Sequence, residues 1–269
     1  MQHARVETAG SLGQFLKEDG HTSEVVHLDE GEKLPENSNF DGLWVLGGPM
    51  DVWEEEKYPW LKEEKAFIKY QVQQKGTPFL GICLGHQLLA ECMGGKVSKS
   101  QKPEVGVLDV LLTESGQSGV FFDGVPENFK TLQWHSAEVT ELPPGSKVLA
   151  WSESCSIQAL QWQTRAFSIQ FHLEIEDDTV LNWSNIPEYK LSLEQEMGIN
   201  GFKKMQNDCL QNISQMKEKA ERIFINRMQT TARTYVPAAL VRDNLAISKC
   251  SFIKEAAFSG SLDFIANKI

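Results

Sequence analysis

The 269-residue chain has few cysteines and few basic side chains, and each of these shortages excludes some classes of protein. Its five cysteines are odd in number and irregularly spaced, which fits neither a disulfide framework nor a paired metal-ligand motif. Lysine and arginine number 26 against 37 aspartates and glutamates, so the formal net charge is −11. Such an acidic chain is poorly suited to binding nucleic acid or an anionic membrane surface. The sequence therefore predicts no metal site, no nucleic-acid partner and no membrane partner.

Long apolar runs and phosphate-binding loops are also missing. No uninterrupted apolar stretch is long enough to span a bilayer, and the N-terminus lacks the apolar core of a signal peptide. No Gly-rich Walker pattern occurs. We therefore expect a cytoplasmic protein that needs no cofactor. Four cysteines are interpreted as ordinary small apolar residues, namely Cys92, Cys155, Cys209 and Cys250.

The remaining cysteine, Cys83, lies in an informative run at 81–87, Gly-Ile-Cys-Leu-Gly-His-Gln. A short apolar segment precedes it, and a helical pattern that ends at the glycines 94–95 follows it. Strand, sharp turn and helix, with glycine near the nucleophile, is the plan of a nucleophile elbow. The helix N-terminus would favour the thiolate form. This turn alone leaves two interpretations open, a catalytic cysteine and a buried cysteine in a Gly-rich turn.

A second segment, 166–174, is predicted to be a strand that ends in His-Leu-Glu. Because strand side chains alternate between faces, His172 and Glu174 project to the same side. A carboxylate beside an imidazole can fix its tautomer and stabilise its cationic form, as the third group of a hydrolytic triad does. The elbow and this pair together favour nucleophilic catalysis by Cys83.

These motifs, with a Gly-Gly-Pro loop at 47–49, resemble the class I glutamine amidotransferases, whose catalytic set is Cys-His-Glu. The resemblance runs in motif order and spacing from the N-terminus to about residue 230. It is strongest to the stand-alone, GMP-synthase-like members, as the loop 47–51, Pro-Trp-Leu at 59–61 and Trp-His-Ser at 134–136 indicate. The usual His-Pro-Glu is His-Leu-Glu here, which keeps both catalytic side chains.

The resemblance implies a role for each matching residue. Cys83 would attack the side-chain amide of glutamine, His172 would transfer the protons, and Glu174 would orient His172. The backbone N–H groups of Gly48 and Leu84 would form the oxyanion hole. Hydrolysis of the γ-glutamyl thioester would then release glutamate and ammonia.

The same resemblance implies a substrate-binding set. Gln87 and the backbone near His135 and Ser136 would bind the glutamine or another γ-glutamyl small molecule. For His135, and for His86 after the elbow, we favour a structural or substrate-positioning role over direct proton transfer.

The order of predicted elements indicates an α/β fold with a doubly wound, mostly parallel sheet. The resemblance implies the flavodoxin-like amidotransferase version of this fold, with an appended C-terminal helical segment. Short strands after residue 106 would extend the sheet and return His172 to the elbow. The predicted early elements are a helix from Ser11, strands at 24–28 and 43–46, and a helix at 60–74. The predicted division is a catalytic domain at 1–180, its C-terminal helical part at 181–230, and a tail of unknown role at 231–269.

The first strand of such a sheet is nearly absent, because the chain opens Met-Gln-His-Ala-Arg. In the resembling family a comparable Gln-His pair closes that strand. Either the sequence starts late or the sheet has lost most of one strand. We favour a late start, since losing a strand would uncover buried apolar surface.

Three functions are compatible with these motifs. The first is glutamine hydrolysis, with the ammonia passing to a separate synthetase subunit. The second is a stand-alone γ-glutamyl peptidase that acts on glutathione-like compounds. The third is a catalytically silent interaction protein that keeps the fold. Turnover of γ-glutamyl substrates, and labelling of Cys83 by a glutamine-analogue electrophile, distinguish them.

Overall fold

The computed structural model describes residues 1–36 and 40–231, and the seven strands of this part form one sheet. The sheet has the spatial order β1-β2-β7-β6-β5-β3-β4. The strands are β1 (Leu43–Val45), β2 (Phe79–Ile82), β3 (Lys96–Leu112), β4 (Asn128–Glu141), β5 (Ser146–Trp151), β6 (Ala159–Trp162) and β7 (Ala166–Ile169). The α-helices are α1 (Gly10–Glu18), α2 (Trp60–Lys69), α3 (Leu84–Cys92), α4 (Glu114–Gln117), α5 (Thr179–Trp183), α6 (Pro187–Met197) and α7 (Gly201–Thr231).

Helices cover both faces of the sheet, which confirms the predicted α/β class. One apolar core includes Leu12 and Phe15 of α1 and Met216 of α7. A second core includes Leu61 of α2 and Leu88 of α3. Strands β2 and β7 are buried along their whole length, as expected for strands covered on both faces.

The strand directions differ from the prediction, because the sheet is mixed rather than mostly parallel. Strands β1, β2 and β7 pair in parallel, whereas β3, β4, β5 and β6 make antiparallel pairs. Their connections explain this difference. The links at 152–158 and 163–165 are too short for a parallel crossover, which needs a dozen or more residues. The parallel arrangement is therefore confined to the part of the sheet that carries the cysteine elbow.

The place of the first strand holds a single bridge. Gln2 pairs in parallel with His27, and the Leu28 N–H donates to the Gln2 carbonyl at 3.1 Å. The prediction of a regular strand at 24–28 is wrong. The N-terminal segment beside it supplies only one pairing residue, Gln2, among the described residues. The near absence of the first strand is the feature that the sequence indicated.

The last described helices close over one face. Met205 and Cys209 of α7 are buried in the core that also holds α1, and the helix is described as far as Thr231. The predicted tail lies outside the described residues from 232 onward. Among the helices that the structure describes, none is both long and apolar enough to cross a membrane.

The packing of α3 against β1 yields a stability prediction. A methyl group added at Gly85 would overlap the main-chain carbonyl of Val45, which cannot move without shifting the strand. We expect Gly85→Ala to lower the free energy of unfolding by about 3 kcal/mol in urea denaturation. Gly42→Ala is the matched control, because its methyl would meet only the Pro78 carbonyl oxygen at 3.6 Å. Equal stability of the two variants would contradict this account.

Candidate active site

The turn between β2 and α3 places Cys83 in a strained backbone conformation. Its φ is 52° and its ψ is −102°, a region that side-chain-bearing residues seldom occupy. The Cys83 N–H donates to the Ile169 carbonyl at 2.9 Å, which ties the turn to β7. A methyl at Gly81 would overlap the carbonyl of Gly85, so the strand and helix meet backbone to backbone. This is the geometry of the predicted nucleophile elbow.

The strand-end pair meets this turn. His172 Nδ1 donates to Glu174 Oε1 at 2.6 Å, and the Leu173 N–H donates to Glu174 Oε2 at 3.0 Å. Cys83 lies close enough to His172 to act on its charge. Burial lowers the pKa of His172, but the Glu174 carboxylate, followed by the neighbouring Cys83 side chain, outweighs burial and holds that pKa well above its usual value. The structure thus brings the three predicted catalytic residues together in one buried group.

The other described cysteines lie in environments that keep them as thiols. Burial raises the pKa of Cys92 and of Cys209 to about 12. Burial also raises the pKa of Cys155. Cys209 lies in one apolar core and Cys92 packs against the other, which fits their interpretation as small hydrophobic residues.

Two residues with unpaired backbone N–H groups line the same cleft as Cys83. They are Gly48 and Leu84, and neither N–H has a protein acceptor in the part of the chain that the structure describes. The loop that carries Gly48 is fixed from behind, because His3 Nδ1 donates to the Gly47 carbonyl at 2.8 Å. Two unpaired donors beside a nucleophile can hold a developing oxyanion.

The predicted substrate residue Gln87 lines the same cleft as Cys83, and its side-chain amide is held by protein acceptors. Its Nε2 donates to the Ala137 carbonyl at 3.1 Å and to Gln170 Oε1 at 3.2 Å. Gln170 Nε2 in turn lies 3.5 Å from Cys83 Sγ. Sequence reasoning missed Gln170, although a signal was available. It lies two residues before His172, and strand alternation puts both on one face.

His135 and Ser136 also line the cleft, at its edge. His135 is buried, with Nδ1 3.0 Å from the Ala137 carbonyl oxygen and Nε2 3.1 Å from Glu104 Oε2. Ser136 is exposed. Because both ring nitrogens of His135 already have protein partners, the geometry fits a positioning role.

His86 lies behind the elbow and is fully buried. Its Nδ1 is 2.9 Å from Ser168 Oγ, and its Nε2 is 3.1 Å from the Ile157 carbonyl oxygen. Burial lowers the pKa of His86 to about 3, so the ring is neutral. A neutral ring that bridges α3 and β7 is a structural element, in line with the expectation for this residue.

The charged side chains of the cleft are acidic. Asp51 and Glu188 line it, and no lysine or arginine does among the described residues. Burial, followed by the neighbouring Glu54 carboxylate, raises the pKa of Asp51. A further acid that the sequence did not indicate, Glu7, is buried next to His172. Within the described ranges, no group of three or more His, Cys, Asp or Glu side chains is placed to hold a metal ion.

The His172–Glu174 pair predicts a pH-dependent contribution to stability. A raised histidine pKa stabilises the fold below the unfolded value of about 6.5, and that stabilisation is lost as pH rises through the folded pKa. We expect Glu174→Gln to lower the free energy of unfolding by about 3 kcal/mol at pH 6 and by less at pH 10. Asp109→Asn, which breaks a surface pair with Lys130, should cost less than about 1 kcal/mol. A pH-independent loss in Glu174→Gln would count against the ion pair.

The comparisons with known proteins agree with this geometry. The profile of the class-I glutamine amidotransferase family matches residues 8–179. The glutamine-hydrolyzing GMP synthase of Aeropyrum pernix is 36% identical over 168 residues, which cover 61% of this chain and 30% of that protein. One subunit of the glutamine-hydrolyzing GMP synthase of Pyrococcus abyssi is 41% identical over 113 residues, which cover 42% of this chain and 57% of that protein. The matched part thus spans less than two thirds of either relative.

A solved structure of an amidotransferase has the same fold as this chain. A glutamine amidotransferase from Thermotoga maritima superposes with a TM-score of 0.75 at 27% identity, covering 86% of this chain and 95% of that one. The family profile matches well over half of the present sequence. The chain therefore belongs to the class-I glutamine amidotransferase family.

Proposed function

We propose that this chain hydrolyses the side-chain amide of glutamine through a Cys83-His172-Glu174 triad. The observation that carries the proposal is the buried His172–Glu174 pair beside Cys83, which lines a cleft together with Gly48 and Leu84. Nucleophile, base and orienting carboxylate within hydrogen-bond reach are the signature of covalent acyl transfer. The family to which the chain belongs supports the same chemistry.

The first half-reaction forms a thioester. The Cys83 thiolate attacks the side-chain carbonyl carbon of glutamine, and the carbonyl oxygen becomes an oxyanion. The N–H groups of Gly48 and Leu84 hold that oxyanion, and losing one such donor typically costs about two to three orders of magnitude in rate. His172 gives a proton to the leaving nitrogen, the C–N bond breaks, and ammonia departs.

The second half-reaction restores the enzyme. Neutral His172 takes a proton from water, which attacks the γ-glutamyl thioester carbon. The same two N–H groups hold the second oxyanion, and collapse breaks the C–S bond to release glutamate. The sulfur leaves as thiolate beside the reprotonated His172. Glu174 keeps the ring in one orientation through both steps by accepting from Nδ1.

The charge of the cleft favours glutamine over glutathione. Asp51 and Glu188 can attract the α-ammonium group of a glutamine zwitterion. Glutathione carries an additional carboxylate, which two neighbouring carboxylates would repel. Electrostatics therefore support the glutaminase over the γ-glutamyl peptidase among the functions compatible with the sequence.

We further infer that the ammonia is used by a separate synthetase subunit. Similarity to a protein named as one subunit of a glutamine-hydrolyzing GMP synthase supports this arrangement. The sequence itself has no Walker-type phosphate loop. A glutaminase of this kind would be slow alone and faster with its partner.

The first test measures glutamate and ammonia released from glutamine by the purified protein. We expect Cys83→Ala to lower the rate by at least about three orders of magnitude, because the covalent intermediate cannot form. Cys92→Ala is the matched control and should retain activity, because Cys92 lies on the far end of α3 and contacts the Lys65 carbonyl.

The other arms of that test separate the alternatives. Release of cysteinylglycine from glutathione without ammonia from glutamine would make the protein a γ-glutamyl peptidase. No turnover, and no labelling of Cys83 by a glutamine-analogue electrophile, would make it a catalytically silent protein. Labelling without turnover points to a missing partner, which addition of a synthetase subunit would test.

A second prediction concerns recognition of the substrate. We expect Asp51→Asn to raise the KM for glutamine about tenfold, the equivalent of about 1.4 kcal/mol, with little change in kcat. The reason is that Asp51 would contact the α-ammonium group, which does not react. Steady-state kinetics check this, and the surface variant Asp109→Asn serves as the control. An unchanged KM would remove Asp51 from the substrate site.

A further inference from the structure

Glu7 is a buried acid that the proposed chemistry does not use. It lies in the loop before α1 and is 1% exposed. One carboxylate oxygen accepts a hydrogen bond from the Tyr189 hydroxyl. A methyl group built on Gly47 would lie 2.5 Å from the other oxygen and 3.3 Å from His172 Cε1. The Glu7 carboxylate and the edge of the His172 ring therefore share one small space above Gly47.

The position of Glu7 is fixed by two helices. Tyr189 of α6 supplies the hydroxyl, and burial together with the Glu7 charge raises the pKa of that hydroxyl well above its usual value. Tyr189 therefore keeps its proton and acts as the donor. Trp183 of α5 donates from Nε1 to the Val6 carbonyl at 3.0 Å, and its ring packs edge-on against His172 with centroids 4.6 Å apart.

The charges around Glu7 and His172 depend on one another. Burial, together with the Glu174 charge, raises the pKa of Glu7 above its usual value, although the charge on His172 and the Tyr189 hydrogen bond act to lower it. Glu174 and His3 also face Glu7 electrostatically. The groups that face His172 are Cys83, Glu174 and Glu7. A negative Glu7 is thus most stable when His172 is positive.

We propose that Glu7 is a positioning residue for His172, a second carboxylate that, held by Tyr189, stabilises the imidazolium from the Cε1 edge of the ring. The proposal rests on the proposed function in taking His172 as the acid–base residue. Glu7 is enclosed by Tyr189, Gly47 and His172, so it acts through His172 and not on the substrate. Tyr189 does line the cleft, so α6 connects the substrate space with the charge behind the histidine.

To test this, the protonation of His172 is measured in Glu7→Gln by NMR of ¹³Cε1-labelled histidine. Glutamine keeps the size of the side chain and an acceptor for Tyr189, but it removes the charge. The chain has six histidines, and the signal lost in His172→Asn assigns the relevant one. We expect the midpoint of the His172 titration to fall by about one pH unit.

Tyr189→Phe tests the same proposal while leaving the Glu7 side chain unchanged. Loss of the hydroxyl favours protonated Glu7, so the midpoint should move in the same direction by a smaller amount. The double variant should move no further than Glu7→Gln alone. Glu104→Gln, which removes another buried glutamate paired with a histidine, is the matched control and should leave the His172 midpoint unchanged.

Kinetics separate this inference from the proposed function. If the protein hydrolyses glutamine, kcat falls on the alkaline side of its pH profile. In Glu7→Gln this fall should shift to lower pH, together with the midpoint of the His172 titration. A loss of rate at every pH without that shift would mean a merely structural role. An unmoved His172 midpoint in folded Glu7→Gln and Tyr189→Phe would overturn the inference. The NMR result decides it even for a protein that proves inactive on glutamine.

Discussion

The close approach of two backbones at the cysteine turn is the constraint on which the site depends. Gly81 and Gly85 have no side chains to separate β2 from the first turn of α3, and Gly85 also lies directly against β1. This contact holds Cys83 at a positive φ. It also places Leu84, the first residue of α3, at the cleft. The residues proposed as nucleophile and oxyanion donor are therefore positioned by one packing contact.

Around this turn the protein concentrates negative charge behind a single imidazole. Glu174 contacts His172 at Nδ1, and Glu7 lies at the ring edge, both out of reach of water. A buried ring between carboxylates resists losing its proton. The cleft in front is also acidic, since Asp51 and Glu188 line it and no described lysine or arginine does.

The sequence predicted the parts of this design that are encoded locally. The elbow around Cys83 and the pair His172 and Glu174 lie within short motifs, and the α/β class follows from alternating helix and strand signals. The direction of the strands after residue 95 was not predictable from the resemblance alone, because it depends on the lengths of the connections. Glu7 was also missed, since its burial comes from α5 and α6, which lie far away in the sequence.

The separation of the catalytic segments along the chain has a consequence for how the protein matures. Cys83 and its neighbour Gln170 are 87 residues apart in sequence. β7 therefore cannot join β2 until the intervening antiparallel strands have emerged and the long loop has closed. During synthesis Cys83 therefore lacks its imidazole neighbour until β7 has formed. If the proposed function holds, the sulfur gains its acid–base partner only in a late folding step.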